Sequence, residues 1–177
     1  YHANDNSFSY ICCNPIATFR VQGEMLYRTY PDGTSDQMPI GPETDVALEI
    51  HRFAGQFRVE ENDFKFINSG LFGYMGYDAV RYFEDIRIEK KADSPEIPDI
   101  HYAVYQNIIA INHFKNEAYI FAHSFKGENN IPELEQLLSV QTFASYRFKK
   151  EGAPQSNLED QAFLEQVALA KKHCARG

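Results

Sequence analysis

Residues 100–124 constrain this chain most tightly. Ile100 to Asn112 is a long apolar, β-branched run, and Ala118 to Ser124 is a second, joined near His113 to Glu117. Two such runs with a short polar joint predict a β-hairpin. Fourteen Phe and eleven Tyr, with no Trp, supply the β-favouring aromatics that a sheet core needs. At 177 residues, with 44% hydrophobic and 24% charged, the chain can bury one ordinary core and is not a disordered segment.

Shorter signals fill in the rest. Ser9 to Cys13 reads as a strand ended by a turn at Asn14-Pro15. Ile16 to Val21 and Met25 to Tyr30 read as a hairpin about Gln22-Gly23-Glu24, followed by a long polar loop through Pro31-Asp32-Gly33, Pro39 and Gly41-Pro42. Val46, Ile50, Phe53 and Phe57 recur at helical spacing and predict a helix over 43–56. Leu71 to Tyr77 is aromatic and punctuated by glycine, and Asp78 is placed to cap a short helix through Glu84. Ile131 to Leu138 suits a short helix, Phe143 to Phe148 a last strand, and 149–157 a linker containing Gly152-Ala153-Pro154. Ser156 to Glu159 has the form of a capping box, opening a helix with Phe163, Val167, Ala170 and Cys174 on one stripe. Mostly antiparallel strands with a few covering helices define an α+β fold of sheet layers.

Charge and cysteine usage exclude several classes. A net charge of −8 repels phosphate backbones, so no nucleic-acid partner is expected. No apolar run approaches the ~20 residues of a membrane span, and no secretory leader opens the chain. Cys12, Cys13 and Cys174 lack CxxC spacing and fit structural roles in a reducing, cytoplasmic compartment. Tyr1 is not an initiator methionine and the last helix has nothing to cover its stripe, so the chain is expected to be cut at both ends.

Chemistry is sparse. Gly70, Gly73 and Gly76 are spaced by three, which matches neither a dinucleotide fingerprint nor a P-loop. Asp78, Arg81, Glu84 and Asp85 have the spacing of surface ion pairs on a short helix. His101, His113 and His123 have no cysteine or carboxylate at ligand spacing, so no metal site is read from them. Asp99 and His101 could do acid–base work, but no nucleophile or oxyanion donor stands beside them. No catalytic residue is assigned.

The whole string Gly70–Glu84, GLFGYMGYDAVRYFE, is more specific than its spacing. It closely resembles a segment of the anthranilate synthase component I branch of the chorismate-utilising enzyme family. Supporting stretches follow the family's order: Ser9–Pro15 is similar to its early strand, Pro98–Asn107 to its "PDM" segment, and Phe163–Gly177 to the helix opening its catalytic half. Departures are Cys12 where the family has Gly, Asn14 where it has Asp, and Ser7 near a common basic position. The resemblance implies 1–148 as an N-terminal scaffold and regulatory domain, 149–157 as linker, and 158–177 as the first helix of a chorismate-binding domain. It implies a parent that turns chorismate and ammonia into anthranilate and pyruvate, with ammonia from a glutamine amidotransferase subunit. Mg²⁺ would be held by ligands outside this chain. Ser7, Phe8 and Ser9 would line one wall of a tryptophan feedback site, whose "LLES" segment is absent. Gly70, Gly73, Gly76, Asp78 and Arg81 would be structural, the glycines giving close approach to Phe72, Tyr74 and Tyr77. Alternatives are aminodeoxychorismate synthase component I and a non-enzymatic α+β interaction module.

Overall fold

The computed structural model describes residues 7–60, 62–88, 96–125, 127, 130–140, 147, 149, 151–153 and 155–176. Its centre is the pairing of two long strands, β1 (Phe8–Gln22) and β5 (Ile100–Asn112), which run antiparallel. β2 (Met25–Thr29) and β3 (Ser35–Pro39) extend the sheet from β1. β4 (Phe72–Met75) and β6 (Glu117–Ala122) both pair with β5, giving a six-stranded sheet of order β3-β2-β1-β5-β4 with β6 beside β5. The helices are α1 (Val46–Ala54), α2 (Ile131–Ser139) and α3 (Asp160–Cys174), with a 3₁₀ helix at Tyr77–Tyr82. This is the α+β, antiparallel architecture expected from the sequence.

α1 lies over β1 and β2 because its stripe matches theirs. Asp45 caps it by accepting a hydrogen bond from Leu48 N at 2.9 Å. Val46 and Phe53 then face Ala17, Phe19, Val21, Leu26 and Ile100, all buried. The Phe19 and Phe53 rings sit 5.6 Å apart, and full burial of each stabilises the fold by about 2–3 kcal/mol. Arg28 spans strand and helix, reaching Glu49 at 2.8 Å and Asp36 at 2.7 Å. Burial opposes its charge, but Asp36 and Glu49 prevail and hold the guanidinium above its ordinary pKa.

Several sequence expectations are corrected. Asn14-Pro15 does not end a strand. β1 runs straight through it, with Asn14 at φ 57° and a register shift between Pro15 and Ala17. The residues that favour a turn are used here as a bulge, since Asn tolerates the left-handed region and Pro needs no ladder partner for its nitrogen. The polar loop after Pro31 contains β3, paired to β2 from Met25↔Pro39 to Thr29↔Ser35. Asp78 is not a cap: Gly76 holds that place, with no side-chain cap bond. The Ser156–Glu159 capping box does not form either, because α3 starts only at Asp160. Ser156 Oγ donates instead to Leu158 O at 2.8 Å. The strand expected over 143–148 lies outside the described residues, apart from Arg147, which is in no strand.

The chain divides into two compact units, one up to Val140 and one from Gln141. In the second, α3 buries none of its residues, and Phe163, Leu164, Val167 and Leu169 are exposed. Among the described residues no helix is long and apolar enough to cross a membrane.

Candidate functional site

The glycine-spaced motif folds as a clasp around Asp99. Gly76 N donates to Asp99 O at 2.7 Å, and Asp99 N donates to Val21 O at 2.8 Å, so one residue joins the β4 end to β1. Its buried carboxylate accepts from Arg81 Nη2 at 2.7 Å and from the Tyr82 hydroxyl at 2.8 Å. Arg81 therefore does not serve the surface ion pairs its spacing suggested; its partner is eighteen residues away. Burial opposes the Arg81 charge, but Tyr82 and Asp99 outweigh it and hold the guanidinium up. Burial also pushes the Tyr82 phenol up, with Asp99 acting in the same sense and Arg81 against it.

Gly73 has a different cause from the one expected. A Cβ there would overlap His101 O and come within 2.8 Å of Tyr102 Cα, so the close approach is to the β5 backbone rather than to aromatic rings. Gly70 has φ 128°, a conformation that side chains rarely adopt, and open space around it. Asp99 and His101 do not meet as an acid–base pair. Asp99 is taken up by the clasp, while His101 stacks on Tyr74 and its buried Nδ1 has no protein partner.

Ser7, Phe8 and Ser9 come together where β1 begins beside the end of β5. His113 N donates to Ser7 O at 2.9 Å, and Ser9 Oγ shares a 2.7 Å hydrogen bond with His113 Nε2. Phe8 stacks on Phe66 at 4.8 Å, the start of an aromatic layer including Phe64, Tyr119 and Phe121. The segment carrying Phe64 and Phe66 is pinned by His123, whose Nε2 donates to Asn68 O at 2.8 Å. Ser9 and His113 resemble a nucleophile–base pair, yet among the described residues no carboxylate orients the ring.

A cleft of about 760 Å³ opens in the same unit, within the usual range for small-molecule sites. Its walls come from the β2–β3 turn, the end of α1, Ser69 to Leu71, mid-β5 and the residues after β6; Tyr30, Phe57, Arg58, Tyr105 and His123 are among them. The sequence reading did not find it, since five separated segments build it. It also missed the buried Asn107, which bonds Asn14 at 3.1 Å and Asn130 at 2.8 Å. Neighbouring Cys12 and Cys13 are half-buried free thiols; burial and then Cys13 push the Cys12 pKa up. Cys174 is exposed.

An antiparallel α+β unit with a buried Arg–Tyr–Asp clasp but no assembled catalytic group is a module defined by its framework. The model of the chorismate binding enzyme family matches residues 2–177, and the chain belongs to that family. Anthranilate synthase component 1 of Acinetobacter calcoaceticus is 30% identical over 143 residues, covering 72% of this chain and 28% of that protein. Aminodeoxychorismate synthase component 1 of Bacillus subtilis is 26% identical, covering 99% of this chain and 38% of that protein. The crystal structure of anthranilate synthase component I from Streptococcus pneumoniae TIGR4 superposes with a TM-score of 0.51 at 20% identity, over 74% of this chain and 27% of that one. That likeness shows the fold. The chain thus spans well under half the length of the relatives it matches.

Proposed function

We propose that this chain is the N-terminal portion of component I of an anthranilate synthase, whose parent converts chorismate and ammonia to anthranilate and pyruvate. The observation that carries the reading is the string Gly70–Glu84, supported by the Acinetobacter relative at 30% identity. In this reading the unit up to Val140 is scaffold, and the start of β1 forms one wall of a tryptophan effector site. A glutamine amidotransferase subunit supplies ammonia in a cytoplasmic complex. Mg²⁺, when bound in the parent, acts as a Lewis acid on the substrate carboxylates and leaving group. Among the described residues no group of three or more His, Cys, Asp or Glu could hold a metal ion, so its ligands are assigned outside this chain and no step is routed through it.

A second reading, aminodeoxychorismate synthase component I, is favoured by the Bacillus subtilis alignment across 99% of the chain. One assay separates the two. The full-length gene product is incubated with chorismate, ammonia and Mg²⁺, and fluorescence and pyruvate are followed together. Anthranilate formation releases pyruvate, whereas an aminodeoxychorismate retains the enolpyruvyl group. Ammonia-dependent consumption of chorismate without pyruvate would replace the first reading by the second; no consumption would remove both. The 177-residue chain alone is expected to make no anthranilate, and fluorescent product surviving repurification would refute that.

A further inference from the structure

Between residues 74 and 86 the chain exposes five large apolar side chains: Tyr74 at 44%, Met75 at 42%, Tyr77 at 90%, Phe83 at 40% and Ile86 at 51%. A loose loop would show such residues by default, but this stretch is held. Gly73 is pressed against the β5 backbone, Gly76 is tied to Asp99, Ala79 is fully buried, and Arg81 and Tyr82 close on Asp99. The side chains stand on a fixed frame, which reduces the ordering cost of an interface. β4 also ends the strand order, and among the described residues its outer edge pairs with no strand. Tyr74 lies opposite His101 and Met75 opposite Ile100, so the two flank that edge on different faces of the sheet. A blunt surface would cover one face. An added strand covers both and takes up the unpaired backbone groups as well.

Size decides between occupants. At about 200 Å² for a fully exposed large side chain, the five present about 500 Å². A separate protein or a second copy needs about 800 Å² on each side. Parts of one chain manage with about 300–750 Å² per side, because their effective concentration is high. The relatives extend well beyond the matched region, since the chain covers only 28% and 38% of two of them. We infer that an extended segment from the remainder of the parent polypeptide adds as a strand to the open edge of β4, packing against Tyr74, Met75 and Tyr77. This rests on the reading of the chain as part of a longer chorismate enzyme.

Hydrogen–deuterium exchange resolved at residues 71–77 tests it without substitutions, comparing this chain with the full-length gene product. The outer-edge amides are expected to exchange at least a hundredfold more slowly in the full-length protein, at any concentration and without an amidotransferase. Equal rates in the two proteins overturn the inference. Protection that grows with protein concentration overturns it in favour of a second copy. Protection that needs the amidotransferase subunit overturns it in favour of that partner. Chorismate turnover by the same preparation keeps the two readings apart: turnover with an unprotected edge defeats the docking inference alone, and a protected edge without turnover defeats the functional reading alone.

Discussion

Replacing Gly73 by alanine tests the clasp at its tightest point. The added Cβ would overlap His101 O and lie 2.8 Å from both His101 C and Tyr102 Cα. Unstrained carbon contacts lie near about 3.5–4.0 Å, so β4 and β5 would have to part by about 1 Å. No side chain can swing away to relieve this, because every atom met is backbone. β5 is held on its other side by twelve paired residues of β1, so β4 must give. Overpacking costs about 1–3 kcal/mol, and each ladder hydrogen bond lost adds about 1 kcal/mol. A total of about 3 kcal/mol lowers the melting temperature by about 6–12 °C for a chain of this size. Gly76→Ala is the control: it has an ordinary φ of −70° and would meet only Asp99 O, at 3.4 Å. It should cost under about 1 kcal/mol. Thermal and urea unfolding followed by circular dichroism would measure both. A Gly73→Ala protein melting within 2 °C of the parent sequence (about 1 kcal/mol or less), or a Gly76→Ala protein melting lower than Gly73→Ala, would refute the reasoning.

Three further outcomes are expected. Asp99→Ala leaves the mostly buried Arg81 guanidinium without its carboxylate and should cost about 3 kcal/mol in urea unfolding, with Asp99→Asn intermediate; a change below about 0.5 kcal/mol would show the clasp to be ornamental. The Tyr82 pKa is raised above 10.0, so its neutral form favours the native state: the contribution is complete below about pH 10 and is lost as pH climbs through the raised value. Tyr82→Phe should therefore lose stability less steeply than the parent sequence above pH 10, and parallel curves would contradict this. Ser9→Leu in the full-length enzyme breaks the 2.7 Å bond to His113 and should raise the tryptophan concentration needed for inhibition; an unchanged curve at normal activity would remove Ser9 from the effector wall.

The elements readable in the sequence were those whose own side chains decide them. β5 and β6 showed as β-rich runs, and α1 showed as a stripe whose cap, Asp45, sits just ahead of it. β3 was hidden because Ser35 to Pro39 is polar; it is a strand because β2 offers it a ladder. The bulge was hidden because Asn-Pro signals a turn equally well, and only the pairing with β5 selects between them. At the site, glycine spacing correctly indicated close backbone approach at Gly73 but not what is approached. Arg81 was assigned by spacing to helix neighbours, while its real partner arrives through the fold on another segment.

The long β1–β5 pairing also sets a timetable for synthesis. β2 emerges right behind β1 and can claim Thr18 to Gln22 at once through a local hairpin. The half from Phe8 to Cys13 pairs only with Asn107 to Asn112, about a hundred residues later. At about 5–20 residues per second, that half waits roughly 5–20 s for its mate. During that interval an uncharged strand of Phe, Ser, Tyr, Ile and two Cys has an open edge on both sides, the condition under which nascent chains recruit chaperones or one another.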